Sequence, residues 1–239
     1  MKYEERVYRS LINKDNFLSY NIKIFESDLF ISSDTNLAEQ ARKSLITHRN
    51  SLESYIGINQ QFRTSLVPVP EDHLAPPIVR EMIQKSKICG VGPMASVAGA
   101  VAEFVGYDLI DFTENLIIEN GGDIFLKIKH QVNGGIYAGE SALSYKFNII
   151  VKTEETPLGI CTSSAKVGPS LSFGIADAVC VISKSATLAD AAASAIGNRV
   201  KNKKDIKPSL DYGIKIPGII GVVIIVGSDM GAIGNVEFL

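Results

Sequence analysis

The sequence predicts an α/β (α+β) fold, with mixed or antiparallel sheets packed against helices in one domain spanning residues 1–239. Three observations support this prediction: apolar and polar residues alternate in several segments, other segments have helical spacing, and a glycine-rich turn joins two apolar runs. The chain has 239 residues, of which 46% are hydrophobic and 21% are charged. It is therefore long enough to bury a large core.

The first third of the chain is predicted to form strands and then helices. Residues 5–12 and 18–33 show the alternation of strands, and residues 35–57 place apolar side chains at helical spacing. A proline-rich connection follows, and Pro77 favours the first turn of a second helix over residues 77–86.

A run of small residues, 90–106, predicts a buried helix with a glycine-rich start. Alanine or glycine occupies nearly every face, so a neighbouring element can approach closely. The start, around Gly92 and Pro93, would present unpaired amides and the positive end of the helix dipole, which suits a phosphate. Close helix packing explains the same residues equally well.

An Asn-Gly-Gly-Asp sequence at residues 120–123 separates two apolar runs and predicts a hairpin turn. A glycine pair accepts positive φ angles and also lets a ligand come close. Asp123 is unusual here, because aspartate is depleted in strands. A second Asn-Gly pair, Asn133 and Gly134, is a further turn signal.

An alanine-rich helix is predicted over residues 187–200, among the strands of the second half. Asp190 and Ser194 stand four residues apart and so share one face of this helix. Their oxygens suit a hard cation such as Mg²⁺, and an ordinary polar pair is an equally good interpretation. The strands of this half are predicted at residues 146–153, 158–164, 177–183, 221–229 and 235–239.

Composition argues against several classes of function. A net charge of -2 argues against nucleic-acid binding, and the basic run at 199–207 is predicted to be a solvated loop. The most apolar segment, 216–227, is too short for a membrane span and is broken by Pro and Gly. The charged amino terminus lacks the apolar core of a signal peptide, so a cytoplasmic protein without membrane or nucleic-acid partners is expected.

The cysteines Cys89, Cys161 and Cys180 are widely spaced, which indicates neither a disulfide framework nor a zinc site. Each is interpreted first as a small buried hydrophobe. Cys161 also has a functional interpretation, because it ends a strand beside the predicted site. A thiolate there could act as a nucleophile or carry sulfur.

Three segments in order resemble motifs of the ApbE family of flavin transferases. They are Asn120-Gly121-Gly122-Asp123, then Thr162-Ser163-Ser164, then Ala189-Asp190 with Ser194. More closely, "GPMASVAGAVAEFVG", "ENGGDIF", "TSSAKVGPSLSFGIADA" and "ADAAASAIGN" resemble the UPF0280 branch of that superfamily. The resemblance covers roughly residues 90–198.

The resemblance implies a two-lobed, ApbE-like fold and an enzyme that uses FAD and Mg²⁺ to join FMN to a protein Thr or Ser. By analogy, Asp190 and Ser194 match the residues that hold the metal, and the turn at 120–123 lies near the nucleotide. The hydroxyls of residues 162–164 would bond a ligand phosphate or ring edge. Asp123 and Cys161 are the candidate catalytic residues.

The chain also departs from the family pattern. Flavin transferases carry a His-x-x-Asp-Pro-x-Thr-Gly element that has no counterpart between residues 164 and 187, and the UPF0280 pattern usually has His where Pro169 stands. We therefore expect a protein that binds a small phosphate-bearing cofactor, such as FAD or FMN, without transferring it.

Two alternative functions remain. One is a working Mg²⁺-dependent FMN transferase. The other is a sulfur-handling protein that uses Cys161, because the UPF0280 branch is common in methane-forming archaea and loosely associated with sulfide assimilation towards homocysteine. The small-residue helices also leave room for a homodimer.

Overall fold

The computed structural model describes residues 17–167 and 172–239. The strand predicted at 5–12 and the residue Pro169 lie outside these ranges. The helices are α1 (Ala38–Ile58), α2 (Gln60–Thr64), α3 (Pro77–Cys89), α4 (Val97–Leu109), α5 (Ala186–Gly197) and α6 (Ile206–Gly213). The strands are β1 (Leu18–Ile24), β2 (Ser27–Ser33), β3 (Leu116–Asn120), β4 (Asp123–Lys127), β5 (Val132–Gly135), β6 (Asn148–Val151), β7 (Leu158–Ser163), β8 (Ala178–Ser183), β9 (Ile219–Val226) and β10 (Asp229–Gly234).

Eight strands form one sheet in the order β1-β2-β3-β4-β7-β8-β9-β10, and β5 and β6 form a second, two-stranded sheet. Every paired neighbour is antiparallel. The predicted combination of antiparallel strands with helices is therefore confirmed.

The core has two parts, on opposite faces of the large sheet. Successive side chains of a strand point to opposite faces, so Ile118 and Phe125 meet the helices while Ile117 and Leu126 meet the small sheet. Helices α4 and α5 contact the middle strands of the sheet and each other. These two helices therefore cover the central hairpin of the sheet.

Glycine at the α4–α5 contact allows the two helix backbones to come unusually close. A Cβ atom on Gly99 would lie 2.4 Å from the carbonyl oxygen of Ala186 and 2.8 Å from Cβ of Asp190. The small residues predicted to permit close packing do so here. This contact brings the first turn of α4 against the first half of α5.

Two sequence predictions near glycines are wrong in detail. Asn133 and Gly134 do not form a turn; they lie within β5, where they pair with Ile150 and Ile149. The predicted helix start at Gly92 and Pro93 is a 3₁₀ turn, and α4 itself begins at Val97. Gly90 instead ends α3 in the left-handed conformation, with φ 72°.

The carboxyl-terminal strands also differ from prediction. The run predicted as one strand over 221–229 contains a turn at Gly227, with φ 63°, and the chain returns as β10. Residues 235–239 contribute a single bridge, between Phe238 and Ile149, rather than a strand.

The basic segment at 199–207 is largely exposed, as predicted, and Lys203 forms an ion pair with Asp229. Within the described residues, no single helix is long and apolar enough to cross a membrane.

Candidate functional site

The Asn-Gly-Gly-Asp segment is the hairpin turn between β3 and β4, as predicted. Asn120 pairs with Asp123, and Gly121 and Gly122 occupy the turn with φ 70° and 102°. Residues other than glycine are strained at such backbone angles. The buried carboxylate of Glu119 accepts a hydrogen bond of 2.7 Å from the Gly122 amide and so holds the turn from within.

Asn120 links this turn to the start of helix α4. Its side-chain amide donates a hydrogen bond of 3.0 Å to the carbonyl of Ala98, in the first turn of the helix. Phe125 of β4 packs against Gly106 of α4, so its side chain points to the helix face of the sheet. Asp123 is two residues earlier on the same strand and therefore points to the same face, as does its partner Asn120.

Asp190 links helix α5 to the same first turn of α4. The Gly99 amide donates a hydrogen bond of 2.9 Å to Oδ2 of Asp190. First-turn amides have no partner within their own helix, and the helix dipole places partial positive charge there. Burial nevertheless raises the pKa of Asp190 from 3.8 to about 7, against the opposing effect of the Gly99 and Ala98 amides.

Asp123 is a second carboxylate close to Asp190, and only 7% of its surface is exposed. Burial raises its pKa well above the ordinary value, and the negative charge of Asp190 raises it further. Its Oδ1 atom has no hydrogen-bond partner among the described residues. The hairpin turn and helix α5 therefore bring together two acidic groups, and the strongest charge effects on Asp123 come from negative groups.

The three hydroxyls predicted for the site do not share one orientation. Ser163 faces helix α5, because a Cβ on Gly197 would lie 3.8 Å from its Oγ. Thr162 lies on the opposite face and pairs with Cys180 of β8. Burial raises the pKa of the Cys180 thiol to about 11, and the Thr162 hydroxyl acts in the opposite direction. The Oγ of Ser164 accepts hydrogen bonds from the amides of Lys166 and Val167. Only Ser163 of this segment therefore faces the same side as the carboxylates.

Ser194 follows Asp190 by one helical turn and is half-buried. Gly92 has a packing role, because a Cβ there would lie 1.8 Å from the carbonyl oxygen of Ser65. Neither observation shows a ligand, and the ligand roles of Ser194 and Gly92 stay predictions.

Cys161 pairs with Asp123 across the β4–β7 ladder and is completely buried. Its thiol donates to the carbonyl of Ala186 at 3.3 Å. Burial raises the pKa of Cys161 well above its ordinary value, and the charges of Asp123 and Asp190 raise it further. This environment disfavours the thiolate that nucleophilic or sulfur chemistry requires.

Sequence reasoning missed Glu119 and the amides of Ala98 and Gly99. Backbone amides carry no sequence signal of their own, and a Glu before a turn is common. The small residues of α4 were the one available indication of a close approach.

Among residues 17–167 and 172–239 there is no group of three or more His, Cys, Asp or Glu side chains arranged to hold a metal. Two cavities, with volumes of about 220 and 580 Å³, lie elsewhere on the molecule. The first is lined by residues such as Ile160 and Lys184, the second by residues such as Tyr55 and Leu74. Neither of these two cavities is lined by Asp123 or Asp190.

The sequence is similar to one protein family model and to UPF0280 proteins of methane-forming archaea. The family model described as "AbpE bacteria" matches residues 9–217. A UPF0280 protein of Methanocaldococcus jannaschii is 40% identical over 224 residues, covering 91% of both chains. A UPF0280 protein of Methanococcus maripaludis strain C7 is 41% identical over 226 residues, covering 92% of both chains.

Solved structures with the same fold are much more distant in sequence. The apo form of the flavinyl transferase ApbE from Pseudomonas stutzeri has a TM-score of 0.58 and 13% identity, with 91% of this chain and 94% of that chain covered. The ApbE protein from Thermotoga maritima has a TM-score of 0.56 and 12% identity, with 90% and 96% covered. At such identities the likeness shows the fold alone.

Proposed function

The chain belongs to the UPF0280 family, a branch with the ApbE-like fold, and from that premise we propose that it binds a phosphate-bearing cofactor together with Mg²⁺. A flavin nucleotide such as FAD is the first candidate, because the solved relative from Pseudomonas stutzeri is a flavinyl transferase. The ligand site comprises the turn at residues 120–123, the first turn of α4 and Asp190. We further propose that the protein is cytoplasmic.

One observation carries this proposal: two hydrogen bonds bring three separate elements to one point. Asn120 binds the start of α4, and the start of α4 binds Asp190 of α5. Glycines at 121 and 122 keep the turn free of side chains, so a ligand can approach its backbone. The arrangement combines carboxylates for a cation with helix amides for an anion.

The residues present fit a hard divalent cation. Asp123 has a buried carboxylate oxygen without a hydrogen-bond partner among the described residues, and Asp190 lies close enough for its charge to act on Asp123. By family resemblance, Asp190 and the Ser194 hydroxyl would hold Mg²⁺ from the protein side. The bound cation would neutralise the negative charge of a diphosphate.

Transfer of FMN is not part of the proposal. Between residues 164 and 187 the sequence has no histidine and no Asp-Pro pair. Phosphoryl-type transfer depends on positioning and charge stabilisation around the leaving group, and the described side chains near Asp190 add negative charge rather than positive charge. Binding without transfer therefore agrees best with the residues present.

Sulfur chemistry at Cys161 has less support than cofactor binding. The thiol is completely buried, and two carboxylates raise its pKa. A nucleophilic thiol normally lies in an electropositive and partly exposed position.

Thermal unfolding with FAD, Mg²⁺, both or neither tests the proposal. A ligand that binds only the folded state at one hundred times its Kd stabilises it by about 2.7 kcal/mol, which for a chain of this size raises Tm by roughly 5–10 °C. The shift should require both FAD and Mg²⁺ and should disappear in Asp190→Ala. Asp108→Asn is the control, because Asp108 lies at the other end of α4 with a half-exposed side chain.

If Tm stays constant under all four conditions, the flavin proposal is wrong. A shift that Asp190→Ala retains would place the flavin elsewhere on the molecule.

A further inference from the structure

We propose that Asp123 is itself a ligand of the divalent cation, so that Asp123 and Asp190 form a cation site that is complete before a nucleotide binds. This inference takes the location of the site from the proposed function. It does not depend on the identity of the nucleotide. Family resemblance assigns the cation to Asp190 and Ser194, whereas the structure adds the hairpin aspartate.

The buried side chain of Asp123 includes an oxygen atom that the described residues leave unsatisfied. Asp123 is 7% exposed, and Oδ1 has no hydrogen-bond partner among the described residues. Buried polar atoms are almost always hydrogen-bonded, and an unpaired carboxylate oxygen is among the most costly exceptions. An atom of this kind indicates a partner that the polypeptide does not supply.

The charges that act most strongly on Asp123 are negative. They belong to Asp190 and Glu119, whereas the Cys161 thiol and the Thr162 backbone amide favour the ionised form of Asp123. The helix α4 amides donate to Asp190 rather than to Asp123. Like charges buried together require a proton or a cation, and a divalent cation compensates both carboxylates at once.

The side chains available as cation ligands at this point are of the oxygen type. Asp123, Asp190 and the half-buried Ser194 offer oxygen atoms, which Mg²⁺ and Mn²⁺ prefer. The nearby sulfur of Cys161 is completely buried, and its S–H already donates to the carbonyl of Ala186. The site therefore suits a hard cation that keeps several water ligands.

Secondary structure explains why two distant carboxylates can act together. Asp123 is the first residue of β4, directly after the Gly-Gly turn, and Asp190 is in the first half of α5. The close approach of Gly99 to Ala186 and Asp190 holds α5 near the hairpin. The site is therefore formed where the hairpin turn and the closely packed helices α4 and α5 meet.

The test uses Mn²⁺ alone, without nucleotide, on the full-length protein at pH 8. Binding is measured by electron paramagnetic resonance of free Mn²⁺ and by titration calorimetry. The wild type should bind one Mn²⁺, and both Asp123→Asn and Asp190→Asn should weaken binding at least tenfold. Asp108→Asn should bind like the wild type.

A fold control separates loss of a ligand from loss of structure. In EDTA, Asp123→Asn should unfold at a higher temperature than the wild type, because the variant removes repulsion with Asp190. Added Mn²⁺ should raise Tm of the wild type by more than it raises Tm of the variant at the same Mn²⁺ concentration.

Two results would overturn the inference: wild-type protein that binds no Mn²⁺ without nucleotide, or Asp123→Asn with wild-type affinity. Either result leaves the proposed function intact if FAD with Mg²⁺ still stabilises the protein. Conversely, Mn²⁺ binding that needs Asp123 combined with no response to FAD would support the cation site and refute flavin binding.

Discussion

Replacing Gly99 with alanine is expected to push apart helices α4 and α5 and so to disturb the site between them. The new Cβ would lie 2.4 Å from the carbonyl oxygen of Ala186, 2.9 Å from its carbonyl carbon and 2.8 Å from Cβ of Asp190. Two of these atoms belong to the backbone and cannot rotate away. The helices must therefore move, and the hydrogen bond from the Gly99 amide to Asp190 moves with them.

The size of the effect follows from two opposing contributions. Overpacking a close-packed contact costs about 1–3 kcal/mol, and alanine in place of glycine in a helix returns up to about 1 kcal/mol. We expect a net loss of about 1–2 kcal/mol, which corresponds to a Tm lower by roughly 2–8 °C. Mn²⁺ affinity should fall as well, because Asp190 is displaced.

Urea unfolding of wild type and variant measures this loss, and Gly57→Ala provides the matched control. Gly57 lies in helix α1, and a Cβ there would have no atom within 4 Å. The control should therefore gain up to about 1 kcal/mol from helix propensity alone. If the Gly99→Ala and Gly57→Ala variants have the same free energy of unfolding, the close contact between α4 and α5 is wrong. The placement of Asp190 that follows from this contact would then be wrong as well.

Three further predictions concern charge and reactivity. First, folding raises the pKa of Asp190 from 3.8 to about 7, so the native state binds the carboxyl proton of Asp190 more tightly than the unfolded state does. The stability that this proton contributes is fully present below about pH 4 and is lost as pH rises to about 7. In EDTA, urea unfolding of the wild type should show this decline, and Asp190→Asn should reduce it; an unchanged slope in the variant would contradict the assignment. Second, no cysteine should react with a thiol reagent near neutral pH until denaturant is added, since all three are buried and the pKa of Cys89 is raised to about 12. Rapid labelling of Cys161 alone in the folded protein would instead support the sulfur-handling alternative. Third, Glu103→Ala should lose about 1–3 kcal/mol of unfolding free energy, because Ser185 and Thr187 would lose their buried acceptor. Glu103→Gln keeps an acceptor and should lose less in the same urea titration, and equal losses would show that the hydrogen bonds are not the cause.

Local sequence patterns predicted most elements of the fold. Pro77 begins α3 as expected, and strands β7 and β8 lie within one residue of their predicted bounds. The errors occur where local signals have two outcomes. Asn133-Gly134 is a turn signal, yet pairing with β6 holds it in a strand. Hydrophobic residues over 221–229 likewise predict one strand, but they do not show that the chain reverses at Gly227 and returns as β10.

For the site, sequence singled out individual residues but not their combination. Asp123 was interpreted as a catalytic and cofactor-binding residue, and Asp190 as a metal ligand together with Ser194. The two carboxylates act on each other because α5 lies close to the hairpin. They are far apart in the chain, so the sequence alone does not show that they are neighbours. Thr162, Ser163 and Ser164 illustrate the same limit, because strand alternation places neighbouring hydroxyls on opposite faces.

The amino-acid sequence by itself determined the turn at residues 120–123, the strands beside it and the helix that carries Asp190. These features depend on interactions between residues close together in the chain, such as positive φ angles at glycine and hydrophobic periodicity. Only the tertiary structure decided that the first turn of α4 donates to Asp190, that Cys161 is buried, and that one oxygen of Asp123 has no hydrogen-bond partner in the part of the chain that the structure describes. Burial and charge interactions arise between elements distant in sequence, so they exist only after the helices have packed on the sheet.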